Sequence, residues 1–196
     1  NVNLASNVAL GGDAQGDTFS SIEGIIGSSQ NDFIVGTGGG EILNGGNGSD
    51  TIEGGFGADN LLGGAGTDCL SYSGSNLGVI VNLAANTASG GDAEGDIISG
   101  FESVIGSAQN DVIVGESGAN AMVGGAGTDS VWGLDGDDFL YGESGDDTLM
   151  GGTGVDTMEG GIGVDWLYGE DGNDTIIAGN GEDNLWGGVG FDIFKF

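Results

Sequence analysis

Proline and histidine are both missing from this chain of 196 residues, and it has one cysteine and one basic residue. Each absence excludes something. Without proline every residue keeps its N–H, so nothing bars long hydrogen-bonded ladders. Cys69 has no partner, which rules out an intrachain disulfide. With no histidine to activate it, its thiol reads as a tolerated small side chain beside an apolar position rather than a nucleophile. Zinc, copper and iron would want His or Cys ligands and find almost none. One lysine against 31 acidic residues gives a formal charge of −30. Such a surface repels nucleic acid and anionic membrane, and excludes both as partners. No apolar run is long enough to span a bilayer, and no basic segment with an apolar core opens the sequence.

Glycine, at 47 residues, is abundant, and it is periodic. From Gly106 the chain reads GSAQNDVIV, GESGANAMV, GGAGTDSVW, GLDGDDFLY, GESGDDTLM, GGTGVDTME, GGIGVDWLY, GEDGNDTII, AGNGEDNLW and GGVGFDIFK. From Gly27 it reads GSSQNDFIV, GTGGGEILN, GGNGSDTIE, GGFGADNLL and GGAGTDCLS. These are fifteen units of nine residues, 135 of the 196. Position one is Gly except at Ala178, and position four is Gly except at Gln30 and Gln109. Position six is Asp except at Glu41 and Asn120, and position eight is always apolar. A strict phase of this kind belongs to a solenoid, not to a flexible linker.

On these units the chain resembles the RTX (repeats-in-toxin) family. The expected fold is all-β, a right-handed parallel β-roll of GGxGxDxUx nonapeptides with two units per coil. A glycine turn, GGxGxD, alternates with a short strand, xUx, whose apolar residue points inward while positions seven and nine point outward. Ile34, Leu43, Ile52, Leu61 and Leu70 would fill the interior of one block. Ile113, Met122, Val131, Leu140, Leu149, Met158, Leu167, Ile176, Leu185 and Phe194 would fill the other.

Four segments follow within a single solenoid region, 1–196. A spacer at 1–26 precedes a repeat block at 27–71, and a second spacer at 72–105 precedes the block at 106–196. Residues 2–35 and 81–114 are copies of one segment and align without a gap. The first copy lacks a counterpart of YSGSNLGVI, so the sequence is expected to be a section of a longer chain. The second spacer should continue the solenoid, with strands at Val79–Leu83 and within Ile97–Ile105 and a loop at Ala88–Asp96. Its acids Asp92, Glu94 and Asp96, like Asp13 and Asp17 in the first copy, read either as an additional cation site or as a solvated acidic loop.

Two units per coil stack position six on position six every 18 residues. One edge carries Asp111, Asp129, Asp147, Asp165 and Asp183; the other carries Asn120, Asp138, Asp156, Asp174 and Asp192. The first block adds Asp32, Asp50, Asp59 and Asp68. Carboxylates on strands ~4.8 Å apart repel by ~3 kcal/mol at an effective dielectric near 20. A hard divalent cation between coils reverses that sign. Calcium accepts six to eight oxygens in irregular geometry, whereas magnesium demands a tight octahedron. The resemblance implies the same ion, Ca2+ in multiple copies, held by the position-six Asp and turn carbonyls. One apolar side chain per nine residues is a thin core against the entropy of ordering them, so the repeats should fold only with calcium. Asn120 and Glu41 should weaken the gaps they face, and Gln30 and Gln109 make the first turn of each block suspect.

One feature is independent of calcium. Position nine on one sheet gives Trp132, Met150, Tyr168 and Trp186 at the coil period, with Trp166 at position seven nearby. This is either a stabilising cross-strand ladder or a contact face for another protein, a second copy or a glycan. Nothing supplies a nucleophile–base pair, a zinc triad or a phosphate loop, so no catalytic residue is assigned. The expected role is a structural or adhesive calcium-binding module of a secreted or cell-surface bacterial protein. The alternative is the C-terminal secretion and folding region of a secreted protease, lipase or polysaccharide-modifying enzyme. Either way the resemblance implies an extracellular location reached by one-step export.

Overall fold

The computed structural model describes all 196 residues. Two sheets of eleven strands each face one another, and in the repeat blocks the chain crosses between them at every nonapeptide. Strands 18 residues apart pair in parallel. Ser130–Asp135 lies beside Thr148–Gly154, with Val131 opposite Leu149 and Trp132 opposite Met150. On the other sheet Phe139–Ser144 lies beside Thr157–Ile162, with Leu140 opposite Met158. The fold is the all-β parallel β-roll expected, two units to a coil.

Position eight points inward, as the alternation of a strand requires. Leu43, Ile52, Leu61, Leu70 and every position-eight residue from Ile113 to Ile176 are fully buried in one continuous core. The column loosens at its last two members, with Leu185 half-buried and Phe194 40% exposed.

The spacer continues the roll, with one departure from the expected loop. Ile80–Asn82 pairs in parallel with Val112–Val114, while Ile97–Ser99 and Ser103–Ile105 join opposite sheets. Between them Thr87–Ser89 forms a strand antiparallel to Ile80–Asn82, followed by a single 3-10 turn at Gly91–Ala93. The hairpin is set by its own turn chemistry: the Asn82 side chain accepts the N–H of Ala85, and Asn86 sits at a φ of 54°. Asn is among the few residues that tolerate that conformation, and a short amide side chain competes well for turn N–H groups. The first copy repeats the device with Asn3, Ser6 and Asn7 (φ 55°), and Val2–Asn3 pairs antiparallel with Val8–Ala9. The two hairpins lie on different sheets. Four nonapeptides and the segment 72–80 separate the copies, and the odd number of crossings between them exchanges the sheets.

Candidate metal centres

Each turn delivers its position-six side chain to the corner where a strand begins, and there the carboxylate does two different things with its two oxygens. Oδ1 accepts the backbone N–H of the position-six residue one coil earlier. On one edge Asp111 donates to Asp129, Asp129 to Asp147 and Asp147 to Asp165, at 2.8, 2.8 and 2.9 Å, and Asp165 to Asp183 at 3.0 Å. On the other, Asn120 donates to Asp138, Asp138 to Asp156 and Asp156 to Asp174, at 2.7, 2.9 and 2.9 Å, and Asp174 to Asp192 at 3.1 Å. In the first block Asp32 donates to Asp50 and Asp50 to Asp68, while Glu41 donates to Asp59. The 18-residue stacking is therefore written into side-chain hydrogen bonds as well as strand register.

Oδ2 is left over. In Asp50, Asp59, Asp68, Asp129, Asp138, Asp147, Asp156, Asp165 and Asp174 it is buried and has no hydrogen-bond partner. These side chains are 0–1% exposed. An ionised oxygen stripped of water and unpaired is among the costliest groups a fold can hold. The lone lysine, Lys195, cannot answer nine of them. Each orphan faces a small cradle. A Cβ on Gly142 would stand 2.5 Å from Asp147 Oδ2 and 2.5 Å from the carbonyl oxygen of Gly160; one on Gly133 would stand 2.2 Å from Asp138 Oδ2 and 2.4 Å from the Gly151 oxygen. Glycine at position one thus keeps open a space walled by a carboxylate oxygen and a carbonyl oxygen from the next coil. No three acidic side chains converge on one point, so any ion held here takes carbonyls for its remaining ligands. That donor set, all hard oxygen and irregular, fits calcium.

Electrostatics agree. Burial raises the carboxyl of Asp129 to about 7 and those of Asp59, Asp138, Asp147 and Asp156 to about 6, against the N–H bond from the coil before, which lowers each. Neighbouring acids add to the rise: Asp147 and Asp111 for Asp129, and Asp165 and Asp146 for Asp147. Asp68, Asp165 and Asp174 shift upward for the same first reason.

The irregular positions differ in kind. In Asp32 and Asp111, in the turns that carry Gln30 and Gln109, the second oxygen is taken: their Oδ2 atoms accept the N–H groups of Ser28 and Ser107. Glu41 turns back on its own loop and accepts from Thr37. Asn120 accepts from Glu116 N–H at 2.7 Å and donates to the Glu102 carbonyl at 3.1 Å. Asp183 and Asp192 keep their place in the rows but are only half-buried.

Three acids extend the rows and were not among the expected position-six ligands. Asp96 Oδ1 accepts the Asp59 N–H, and Glu102 Oε2 accepts the Asp68 N–H, both at 2.8 Å. Glu23 holds the same place before the strand Gly24–Ile26. The usable signal was local: an acid two residues ahead of a buried apolar one, Ile98 and Val104 here. Among the other spacer acids, Glu94 is exposed and accepts Gly90 N–H, and Asp13 and Asp17 are exposed.

The aromatic file runs down the outer side of the second sheet, with Trp132, Met150, Tyr168 and Trp186 in successive register. Much of it is spent on itself. Tyr168 and Trp186 stack at 4.5 Å and 3°, and Trp132 Nε1 donates to Met150 Sδ at 3.0 Å. Trp166 lies alongside at position seven, with Trp186 and Trp166 47% and 36% exposed.

Comparison with known families matches the RTX calcium-binding nonapeptide repeat at residues 25–51, 35–70, 96–131, 123–158 and 159–194, well over half of the chain. No curated protein matches it.

Proposed function

The chain belongs to the RTX family of calcium-binding nonapeptide-repeat proteins and forms a β-roll module of it, and from that we propose that its fold is switched on by calcium outside the cell. The nine buried Oδ2 atoms without a partner carry this reading. Asp50, Asp59, Asp68, Asp129, Asp138, Asp147, Asp156, Asp165 and Asp174 would hold the ions between coils, with the half-buried Asp183 and Asp192 completing the rows. Asp32 and Asp111 would contribute least, since Ser28 and Ser107 occupy their second oxygens. Calcium, when bound, supplies the positive charge that the rows lack. The chain's own residues do the rest: position-one glycines keep the cradles open, Oδ1 atoms fix the coil spacing, and position-eight side chains close the core.

The repeat is a calcium-binding module, not a catalytic one, so the role we assign is structural or adhesive in a secreted or cell-surface protein. In calcium-poor cytosol the acids would keep the chain extended and exportable; in millimolar calcium the coils would stack. The test is circular dichroism in chelator and in calcium. Little regular structure is expected in the first and a β spectrum in the second; a β spectrum that survives exhaustive chelation refutes the switch.

A further inference from the structure

We propose that the junction between the first repeat block and the second spacer holds a divalent-cation site outside the two rows, built on Glu53 and Asp92. The two residues come from different parts of the chain. Glu53 ends the strand Thr51–Glu53, at position nine on the outer side of its sheet. Asp92 lies in the 3-10 turn Gly91–Ala93 that follows the spacer hairpin. Between them runs the turn that leaves the strand Cys69–Ser71. Its Ser75 hydroxyl accepts the Asp92 N–H at 3.1 Å and donates to the Leu77 carbonyl at 2.8 Å. The packing is close: a Cβ on Gly91 would stand 2.5 Å from Ser75 Oγ and 2.7 Å from the Leu77 oxygen.

Asp92 is the unusual member. Its side chain is 7% exposed, and no hydrogen bond within the chain reaches its carboxylate. Its neighbours share the acidic sign. Glu53 is half-buried, its carboxylate also accepts no hydrogen bond, and Asp92 adds to a rise in its pKa that burial begins. Asp96 feels Asp92 too, but has spent both oxygens, on the Asp59 N–H at 2.8 Å and on the Tyr72 hydroxyl at 2.9 Å. The turn after Cys69–Ser71 joins the two acids: a Cβ on Gly74 would stand 2.4 Å from Glu53 Oε1, and the next residue, Ser75, takes the Asp92 N–H, so two free carboxylates flank this turn with the Ser75 hydroxyl and the Leu77 carbonyl beside them. Such a set suits a hard divalent ion with six or more oxygens, some from water. The first spacer copy offers an internal contrast. Asp13, the counterpart of Asp92, is exposed. The site arises where a spacer docks on a finished block, so its ion would clamp the two blocks into one roll.

The test is calcium stoichiometry of the full chain at neutral pH, by flow dialysis, for the wild type, Glu53→Gln and Asp92→Asn. Each variant is expected to bind one ion fewer while keeping the β spectrum in saturating calcium. Unchanged stoichiometry in Glu53→Gln means that the pair shares a proton instead, and overturns the proposal. A second measurement needs no variant. Wild-type crystals grown with terbium should give an anomalous peak between Glu53 and Asp92; peaks confined to the rows overturn the site. A peak here with none in the rows would instead refute the row assignment and leave this site standing.

Discussion

Asp147→Asn separates a metal ligand from a packing residue, because the two roles predict opposite signs in two buffers. Asparagine keeps an oxygen where Oδ1 accepts the Asp129 N–H at 2.8 Å, and Asp147 N–H can still reach Asp165 at 2.9 Å. What changes is the orphaned Oδ2, replaced by an NH2 that points a donor into the cradle. Were the coils to stack without metal, the Asp147 charge would lie between two others one coil away, each repelling by ~3 kcal/mol at ~4.8 Å and an effective dielectric near 20 before salt screens it, so the substitution makes the metal-free roll less unfavourable. The chelated chain should therefore become more compact, read as a smaller hydrodynamic radius. With calcium, both gaps that Asp147 borders lose an anionic ligand. The calcium midpoint of the β transition should rise about tenfold or more, ~1.4 kcal/mol per decade. Asn120→Asp should do the reverse, lowering the midpoint and loosening the chelated chain. A loss in both buffers from Asp147→Asn would refute the reasoning and reduce the row to hydrogen-bonded packing.

Position four offers a steric test. A Cβ on Gly145, at φ 134°, would stand 1.5 Å from the Gly127 carbonyl oxygen, whereas one on Gly118 would meet only the Glu116 side chain at 3.2 Å. Gly145→Ala should destabilise the calcium form by about 2–5 kcal/mol in urea unfolding, from backbone strain plus lost ladder bonds, and Gly118→Ala by far less; equal effects would deny the close stacking. Acidity gives a second test. The row carboxyls rise from 3.8 to about 6 or 7 in the folded state, so the folded chain binds more protons than the unfolded one. Metal-free stability is then greatest below ~pH 4 and falls as pH rises toward 7. Calcium must displace those protons, so its midpoint should worsen between pH 7 and 5, and a pH-independent midpoint would contradict the burial. Replacing Trp132, Tyr168 and Trp186 by Thr should spare calcium-induced folding and weaken association, seen by sedimentation; if folding fails and association persists, the file is a stabilising ladder.

The regular part of this roll is legible because one rule generates it. Counting nine gives the core column from Ile113 to Ile176, and counting 18 gives every Asp-to-Asp hydrogen bond between Asp111 and Asp192. Counting fails at the spacer. Eighteen residues past Asp59 lies Leu77 and past Asp68 lies Asn86, yet the structure joins Asp59 to Asp96 and Asp68 to Glu102, 37 and 34 residues on. The inserted hairpin lengthens the path by amounts that no period supplies. Its antiparallel strand, Thr87–Ser89, is small and polar enough to read as loop, and it becomes a strand because Ile80–Asn82 offers it an unpaired edge.

Acidity itself also misleads when it is counted rather than placed. Asp137 and Asp146 stand beside position six and might be added to the cation ligands, but their side chains accept N–H groups of Val155 and Val164, both at 2.8 Å. Asn31, Asn110 and Asn173 do the same for Ser49, Thr128 and Phe191. An amide serves there as well as a carboxylate, so the position needs an acceptor and not a charge. Position six is different: in nine of its aspartates the second oxygen is buried without a partner, against a position-one glycine whose Cβ would collide with it. That unanswered charge, and not the number of acids, is what the proposed calcium sites rest on, and neighbouring positions of one nonapeptide carry both kinds of acid.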